Sequence, residues 1–341
     1  MLYNLRKFLS ILLAVAALCS CSGGRGHYAQ VTGTAQSVSY AVKFNMDGVN
    51  VPLENIRDSI DAILTKIDTS LSGYNKKSLL ARFNAGEVIR PNDIFIDMYR
   101  LGYRVWERSG GAVDCAAAPL YDAWGFGFRN SSFPTDAEIQ ALLEKCGQKN
   151  LPPELSLAPD GTLDPSSMGN PKLNYNAVAQ GYTSDVIARY LYGIGVKDML
   201  VDIGEIWCCG LNPSGEPWAV AVDRPGEDEG YRDVWSSEGN ACGITTSGNY
   251  RKFFIKDGKK YSHTINPLTG YPVEHSLLSA TVVSKVSAAE SDAIATWCMV
   301  VGLEASEKLI LDDPQLEGYL TFADDSGNLR EWISPGFKLR N

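Results

Sequence analysis

The sequence predicts an α+β fold: a single compact domain of mixed α and β structure, preceded by a lipoprotein-type signal peptide. Three observations lead there. Helix-period segments and short strand-like runs follow one another irregularly, which excludes a regular βαβ series. Residues 28–341 contain no internal repeat, low-complexity tract or linker that would divide them. The first twenty residues are built for export, not for the fold. Arg6 and Lys7 form a positive start, and Phe8 to Leu18 is an apolar run too short to cross a bilayer as a helix, which takes about 20 residues. Leu18-Cys19-Ser20-Cys21 has the form of a bacterial lipobox, in which Cys21 becomes the lipidated first residue. The expected organisation is residues 1–20 as signal peptide, 21–27 as a lipidated tether and 28–341 as the folded domain.

The elements follow in order. In "VPLENIRDSIDAILTKIDTSL", Ile56, Ile60, Ile63, Ile67 and Leu71 recur at spacings of three and four, an amphipathic helix with one core-facing stripe. A polar loop, Ser72-Gly73-Tyr74-Asn75, separates it from a short helix starting near Ser78. A further helix spans Asp93 to Arg108 and stops at Gly110-Gly111. Thr135 with Glu138 three residues on is a capping box for a helix reaching Gly147. "LNYNAVAQGYTSDVIARYLYGIG" reads as a strand end, a cap at Asn176 and a helix to Tyr192. "MLVDIG" and "EIWCCGL" read as strands, and "NPSG" turns the chain into "PWAVAV". Asp257-Gly258 joins "RKFFIK" to "KKYSHTI" as a hairpin, which puts His263 near the end of the outgoing strand. The helix in "SAAESDAIATWCMVVG" carries Ile294, Trp297, Cys298 and Val301 on one face.

The formal charge is −9, and −11 once Arg6 and Lys7 are removed with the signal, so no basic stripe for nucleic acid is available. Apart from Cys19 and Cys21 the cysteines are Cys115, Cys146, Cys208, Cys209, Cys242 and Cys298. They show no CxxC and no zinc-like spacing with histidine; nothing in the spacing specifies a disulfide, and they read as small core residues.

Four places carry candidate chemistry. Asn176 to Asp185 opens a helix, whose free N–H groups can meet an anion or simply be capped. Thr245-Thr246-Ser247-Gly248 suits a backbone approaching a phosphate or a ring, or an ordinary turn entering a strand. Asp292 and Thr296 share a helix face opposite the apolar one: either a solvated face or two oxygen donors for a hard cation such as Mg²⁺. His263 is one of three histidines, and a strand-end hydrogen bond is the plain alternative to catalysis. Gly125-Phe126-Gly127 lacks the third glycine and the downstream acid of a dinucleotide fingerprint.

Taken in order, "TGTAQSVSY" (32–40), "LSGYNKKSLLARFN", "SGGAVDCAAAPLYDAWGFG", "NAVAQGYTSDVIARYL", "EPWAVAVDRP", "TTSGNYRKF", "SHTINPLTGYPV" and "ESDAIATWCMVVG" (290–302) resemble one family, the periplasmic FAD:protein FMN transferases, also called the thiamine-biosynthesis lipoprotein family. The resemblance implies a T-fold-like α+β domain that grips extended FAD. It further implies a Mg²⁺-dependent transfer of FMN to a Thr or Ser hydroxyl of a partner, with AMP leaving. Position by position, it implies Asp292 and Thr296 as metal ligands with a backbone carbonyl near Ala177. Thr246, Ser247 and Gly248 would line the flavin site, Tyr74 would contact the nucleotide and Asp185 its adenosine end. His263 would stand near the transferred phosphate and assist proton removal from the acceptor. The implied acceptors are flavin-carrying subunits of membrane redox complexes, met on the periplasmic side. The chain departs from the family pattern at Gln180, where many relatives have Lys, at Asn266, where many have Asp, and at the single Gly204 before Glu205, where a glycine pair is usual. An FAD pyrophosphatase and a non-catalytic flavin-binding lipoprotein are the alternative readings.

Overall fold

A computed structural model of the chain describes residues 26–127, 133–222, 233–249, 253–256 and 259–340. The expected signal peptide, Cys21 and the turn residues Asp257 and Gly258 lie outside the described residues. Among the described residues no helix is long and apolar enough to cross a membrane.

The chain begins with a hairpin of β1 (Tyr28–Ala35) and β2 (Val38–Asn45). Gln36 and Ser37, the two residues between the strands, both take left-handed φ (50° and 66°). Positive φ at both turn positions matches the right-handed twist of the paired strands. β2 then pairs with β3 (Met199–Asp202), across more than 150 residues of intervening helices and loops. β4 (Ile206–Cys209), β7 (Cys242–Gly248), β10 (Leu277–Ser284), β11 (Leu316–Ala323) and β12 (Leu329–Ile333) complete the sheet. Its order is β1-β2-β3-β4-β7-β10-β11-β12, and every pairing is antiparallel.

Helices cover one face. α1 (Leu53–Leu71) turns Ile56 and Ile60 onto β1–β4, and Ile67 and Leu71 onto a second helical layer. That layer contains α2 (Leu79–Ala85), capped by Ser78, and α3 (Asp93–Arg108). α4 (Ala118–Ala123) and α5 (Asp136–Lys145) form a smaller cluster with Ile265. The capping box is present: Thr135 Oγ1 accepts from Glu138 N–H (3.3 Å), and Glu138 Oε2 accepts from Thr135 N–H (2.7 Å). α6 (Ala179–Gly193), α7 (Ala288–Val301) and α8 (Leu303–Asp312) finish the helical layer. The opposite face is closed by the two-stranded sheet of β5 (Ala219–Val222) and β6 (Asp233–Ser236), with Trp218, Trp235 and Phe337 in the core beneath it. The strand pair predicted around His263 is β8 (Phe253–Lys256) with β9 (Lys259–Ser262), in register Lys256↔Lys259, so a two-residue connection joins them.

Two expectations are corrected. No strand lies immediately before α6, and its cap residue is Val178, not Asn176. The backbone at Tyr175 turns instead, its carbonyl accepting from both Val178 N–H and Ala179 N–H. The second correction concerns α7. Ile294 and Cys298 are buried as expected, but Val301 is 37% exposed and Asp292 only 5%. The helix packs on β7, β10, α6 and α8 at once, so the side opposite its apolar stripe is enclosed as well. A solvated face is ruled out there.

Candidate active site

α6 starts at Val178 with no side-chain cap of its own. Free N–H groups at a buried helix start need acceptors, and Asp292 on α7 supplies one: its Oδ2 accepts from Gly181 N–H at 3.1 Å. The exchange is mutual. Asp185 on α6 accepts from Ala288 N–H (2.8 Å) and Ala289 N–H (3.0 Å), the first amides of α7, and Ser287 Oγ accepts from Glu290 N–H (3.0 Å). Each helix therefore holds the other's first turn with a carboxylate. This crossing requires glycine on both sides. A Cβ at Gly181 would lie 2.3 Å from the Ala288 carbonyl oxygen, and one at Gly243 of β7 would lie 2.4 Å from Ala288 Cα.

A turn between β3 and β4 closes the site from the sheet side. Gly204, with φ of 91°, donates its N–H to Asp202 Oδ1 (2.9 Å), and a Cβ there would come within 2.8 Å of Gln180 Nε2. The single glycine thus leaves a regular tight turn packed on the start of α6. The Glu205 carbonyl accepts from Ser184 Oγ (2.5 Å), while the Thr245 hydroxyl and the Thr246 N–H lie on the side of its carboxyl and favour its charged form. The Thr245 and Ser291 hydroxyls stand 3.0 Å apart. Three carboxyls, those of Asp185, Glu205 and Asp292, gather in this enclosed space.

Burial dominates their electrostatics. It pushes Asp292 up to about 7 against the pull of the Gly181 amide, with the negative charge of Asp185 adding to the rise. Burial and then the charge of Asp292 raise Glu205 well above the ordinary carboxyl range. Asp185 is pushed up to about 6 by burial, partly opposed by its two amide partners and by Arg189. No cation is among the charges acting on Asp292 or Glu205. A buried aspartate beside a half-buried glutamate, with no positive partner and with hydroxyls nearby, has the donor chemistry of a hard divalent cation. Among the described residues no group of three or more His, Cys, Asp or Glu is arranged as a metal site, so a cation here would rely on hydroxyl, backbone and water oxygens as well. Thr296 is half-buried one turn beyond Asp292, and Ala177 is half-buried two residues before α6.

The other expected residues fall in distinct places. Thr246, Ser247 and Gly248 are not a loop; they are the last three residues of β7, paired with Thr281, Ala280 and Ser279. The Thr246 and Thr281 hydroxyls are 2.8 Å apart. Tyr74 is 68% exposed on a loop fixed by Asn75, whose N–H donates to Ser72 Oγ (3.1 Å) and whose Nδ2 donates to Asp68 Oδ2 (2.6 Å). An exposed ring on an anchored loop can stack on a ligand. Both oxygens of Asp185 accept from the α7 backbone, so its carboxylate positions that helix.

His263 follows β9 directly and is partly buried. Its ring meets Phe126 edge to face, with centroids 6.2 Å apart. The loop beyond is rigidly built. Asn266 N–H donates to the Tyr271 carbonyl (2.9 Å), Gly270 N–H donates to the Asn266 carbonyl (2.8 Å), and Asn266 Oδ1 accepts from Leu268 N–H (2.9 Å). Asn266 therefore performs its turn role without a carboxylate. Trp124 Nε1 donates to the Gly270 carbonyl (2.8 Å), tying the loop to α4. Gly125-Phe126-Gly127 thus belongs to the support of His263 and not to a nucleotide-binding strand–helix turn.

Sequence reasoning missed Glu205, noted only as following a shortened glycine turn, and the glycines Gly181 and Gly243. Their importance comes from α7 lying against them, and no local pattern announces it.

Comparison with known proteins agrees with this architecture. The family model described as "ApbE family" matches residues 32–320. A Vibrio cholerae protein named FAD:protein FMN transferase is 30% identical over 340 residues, covering 98% of both chains. An Escherichia coli K12 protein of the same name is 32% identical over 289 residues, covering 83% of this chain and 81% of its own. Among solved structures, the flavin transferase ApbE of Vibrio cholerae superposes with a TM-score of 0.76 at 28% identity, covering 91% of this chain and 97% of its own. The apo flavinyl transferase ApbE of Pseudomonas stutzeri gives 0.77 at 30% identity, covering 91% and 95%.

Proposed function

The chain belongs to the ApbE family, and on that premise we propose that it is an FAD:protein FMN transferase, joining FMN from FAD to a Thr or Ser hydroxyl of a partner flavoprotein. The observation that carries this reading is the carboxyl pair of buried Asp292 and half-buried Glu205, set among hydroxyls beside the α6–α7 crossing with no cation acting on it. In the proposed reaction the acceptor oxygen attacks the phosphorus of the FMN phosphate. The bond from that phosphorus to the bridging oxygen breaks, AMP leaves with that oxygen, and the hydroxyl proton departs to a base. His263 is that base: a neutral imidazole is the side chain suited to proton removal at neutral pH. Its edge contact with Phe126 and the hydrogen-bonded loop after it restrict where the ring can point.

Asp292, Thr296 and the backbone at Ala177 are the residues that would hold Mg²⁺, with Glu205 beside them. Bound there, Mg²⁺ would supply positive charge to offset that of the pyrophosphate. Thr246, Ser247 and Gly248 would border the flavin where β7 ends, and Tyr74 would stack on the nucleotide. Residues 1–20 would direct export, and Cys21 would carry the lipid that holds the domain, through the tether 21–27, on the periplasmic side of a bacterial membrane. Flavin-carrying subunits of membrane redox complexes would be within reach there.

The test is to incubate the soluble domain with FAD, Mg²⁺ and an acceptor domain from such a subunit. Flavin fluorescence on the denatured acceptor band is the expected result. Free FMN and AMP alone would show a pyrophosphatase, and unchanged FAD a binding protein.

A further inference from the structure

We propose that Cys208 and Cys242 form a disulfide site, a redox-closed staple between two central strands of the sheet. The two residues are direct cross-strand partners of β4 and β7, both are buried, and their sulfurs lie 3.9 Å apart. Directly opposed residues of an antiparallel pair have Cα atoms about 4.5–5.5 Å apart, within the range of about 4.4–6.8 Å that a disulfide spans. The sulfurs need only rotate together to reach a bond of about 2.0 Å.

The pairing is specific. Cys208 and Cys242 face the core under Trp218 and Trp235, whereas neighbouring Cys209 points to the helical face and donates its thiol to the Lys197 carbonyl (3.0 Å). Adjacent residues of a strand face opposite ways, so a Cys208–Cys209 link would break β4. Cys115 and Cys298 belong to other clusters of the core.

The oxidant is a disulfide, of a small molecule or of a thiol–disulfide exchange protein. One cysteine thiolate attacks it and releases a thiol, and the second then displaces the other half from the mixed disulfide. The pair loses two protons and two electrons, and the oxidant becomes two thiols. The contact with Cys242 and burial hold the Cys208 thiol well above the ordinary range, so exchange occurs before the sheet closes or during local opening. β4 begins immediately after Glu205 and β7 carries Thr245 to Gly248. The bond would therefore fix the strand register that presents Glu205 to Thr245.

The experiment incubates the purified protein with oxidised glutathione, and in parallel folds it from denaturant in the same buffer. Acid quenching, alkylation under denaturing conditions and peptide mass analysis follow. The expected product is the Cys208 peptide joined to the Cys242 peptide, lighter by two hydrogens, with Cys115, Cys209 and Cys298 alkylated. Its Tm should exceed that of the reduced protein by about 5 °C, since a bond across 34 residues restricts the unfolded chain. Cys242→Ala should abolish that difference. Alkylation of Cys208 and Cys242 in both preparations, stable glutathione adducts, a link to another cysteine, or a Tm difference that persists in Cys242→Ala would each overturn the proposal.

Discussion

Replacing Asp292 by asparagine should move stability and activity in opposite directions. The side chain keeps its volume, and its carbonyl oxygen can still accept from Gly181 N–H, now at 3.1 Å to the carboxylate. What disappears is a buried negative charge beside Glu205 and Asp185. Burial lifts the Asp292 carboxyl from its ordinary 3.8 to about 7. A group whose folded pKa is raised contributes stability fully below its unfolded pKa and loses it as pH rises through the folded value. Wild-type stability should therefore fall, relative to Asp292→Asn, between about pH 4 and pH 7 and run parallel above. At about 1.4 kcal/mol per pH unit, the gap should widen by roughly 2 kcal/mol from pH 5 to pH 7. Urea unfolding followed by tryptophan fluorescence, in EDTA to keep the protein metal-free, measures it. FMN transfer at saturating FAD should meanwhile be nearly abolished and only partly restored by excess Mg²⁺, because the variant lacks the charged ligand. A gap that stays flat with pH would refute the burial argument, and full transfer by the variant would refute the metal role.

His263→Ala should slow transfer about 10²–10⁴-fold, the usual cost of losing a general base, while FAD affinity changes little; titration of flavin fluorescence against single-turnover rates separates the two, and equal losses would make His263 a binding residue. Gly181→Ala places a methyl 2.3 Å from the Ala288 oxygen. It should cost about 1–3 kcal/mol as α6 and α7 part and raise the Mg²⁺ concentration needed for half-maximal transfer, whereas an unchanged urea midpoint would show that the crossing yields freely. Cys21→Ala should shift the protein from the membrane to the soluble fraction with transfer by the domain intact, and continued partition with membranes would remove the lipobox reading.

Local pattern and tertiary structure divide the remaining questions between them. The helices α1, α2, α3 and α5 were legible because their stripes, caps and stop signals lie within a few residues of one another: Ile56 to Leu71, Ser78, Gly110-Gly111, and Thr135 with Glu138. The strand pair leading to His263 was legible for the same reason, as was the family, whose motifs recur in fixed order along the chain. What no window of sequence contained was the environment of the carboxyls. A helical period places Asp292 opposite an apolar stripe, which normally means water. Here the helix is enclosed on that side because α6 crosses it, and Gly181 is 111 residues away in the chain. The resemblance placed Asp185 at the adenosine end, and nothing local announced that its oxygens accept from amides more than 100 residues distant. Cys208 and Cys242 carried no spacing signal, and only the pairing of β4 with β7 sets them opposite each other. Periodicity and capping report forces between near neighbours in the chain, and these determined the helices named above, while the order of the motifs carried the family. Burial, and with it every shifted pKa in the site, depends on which surfaces meet after the chain has closed, and only the tertiary structure decided that.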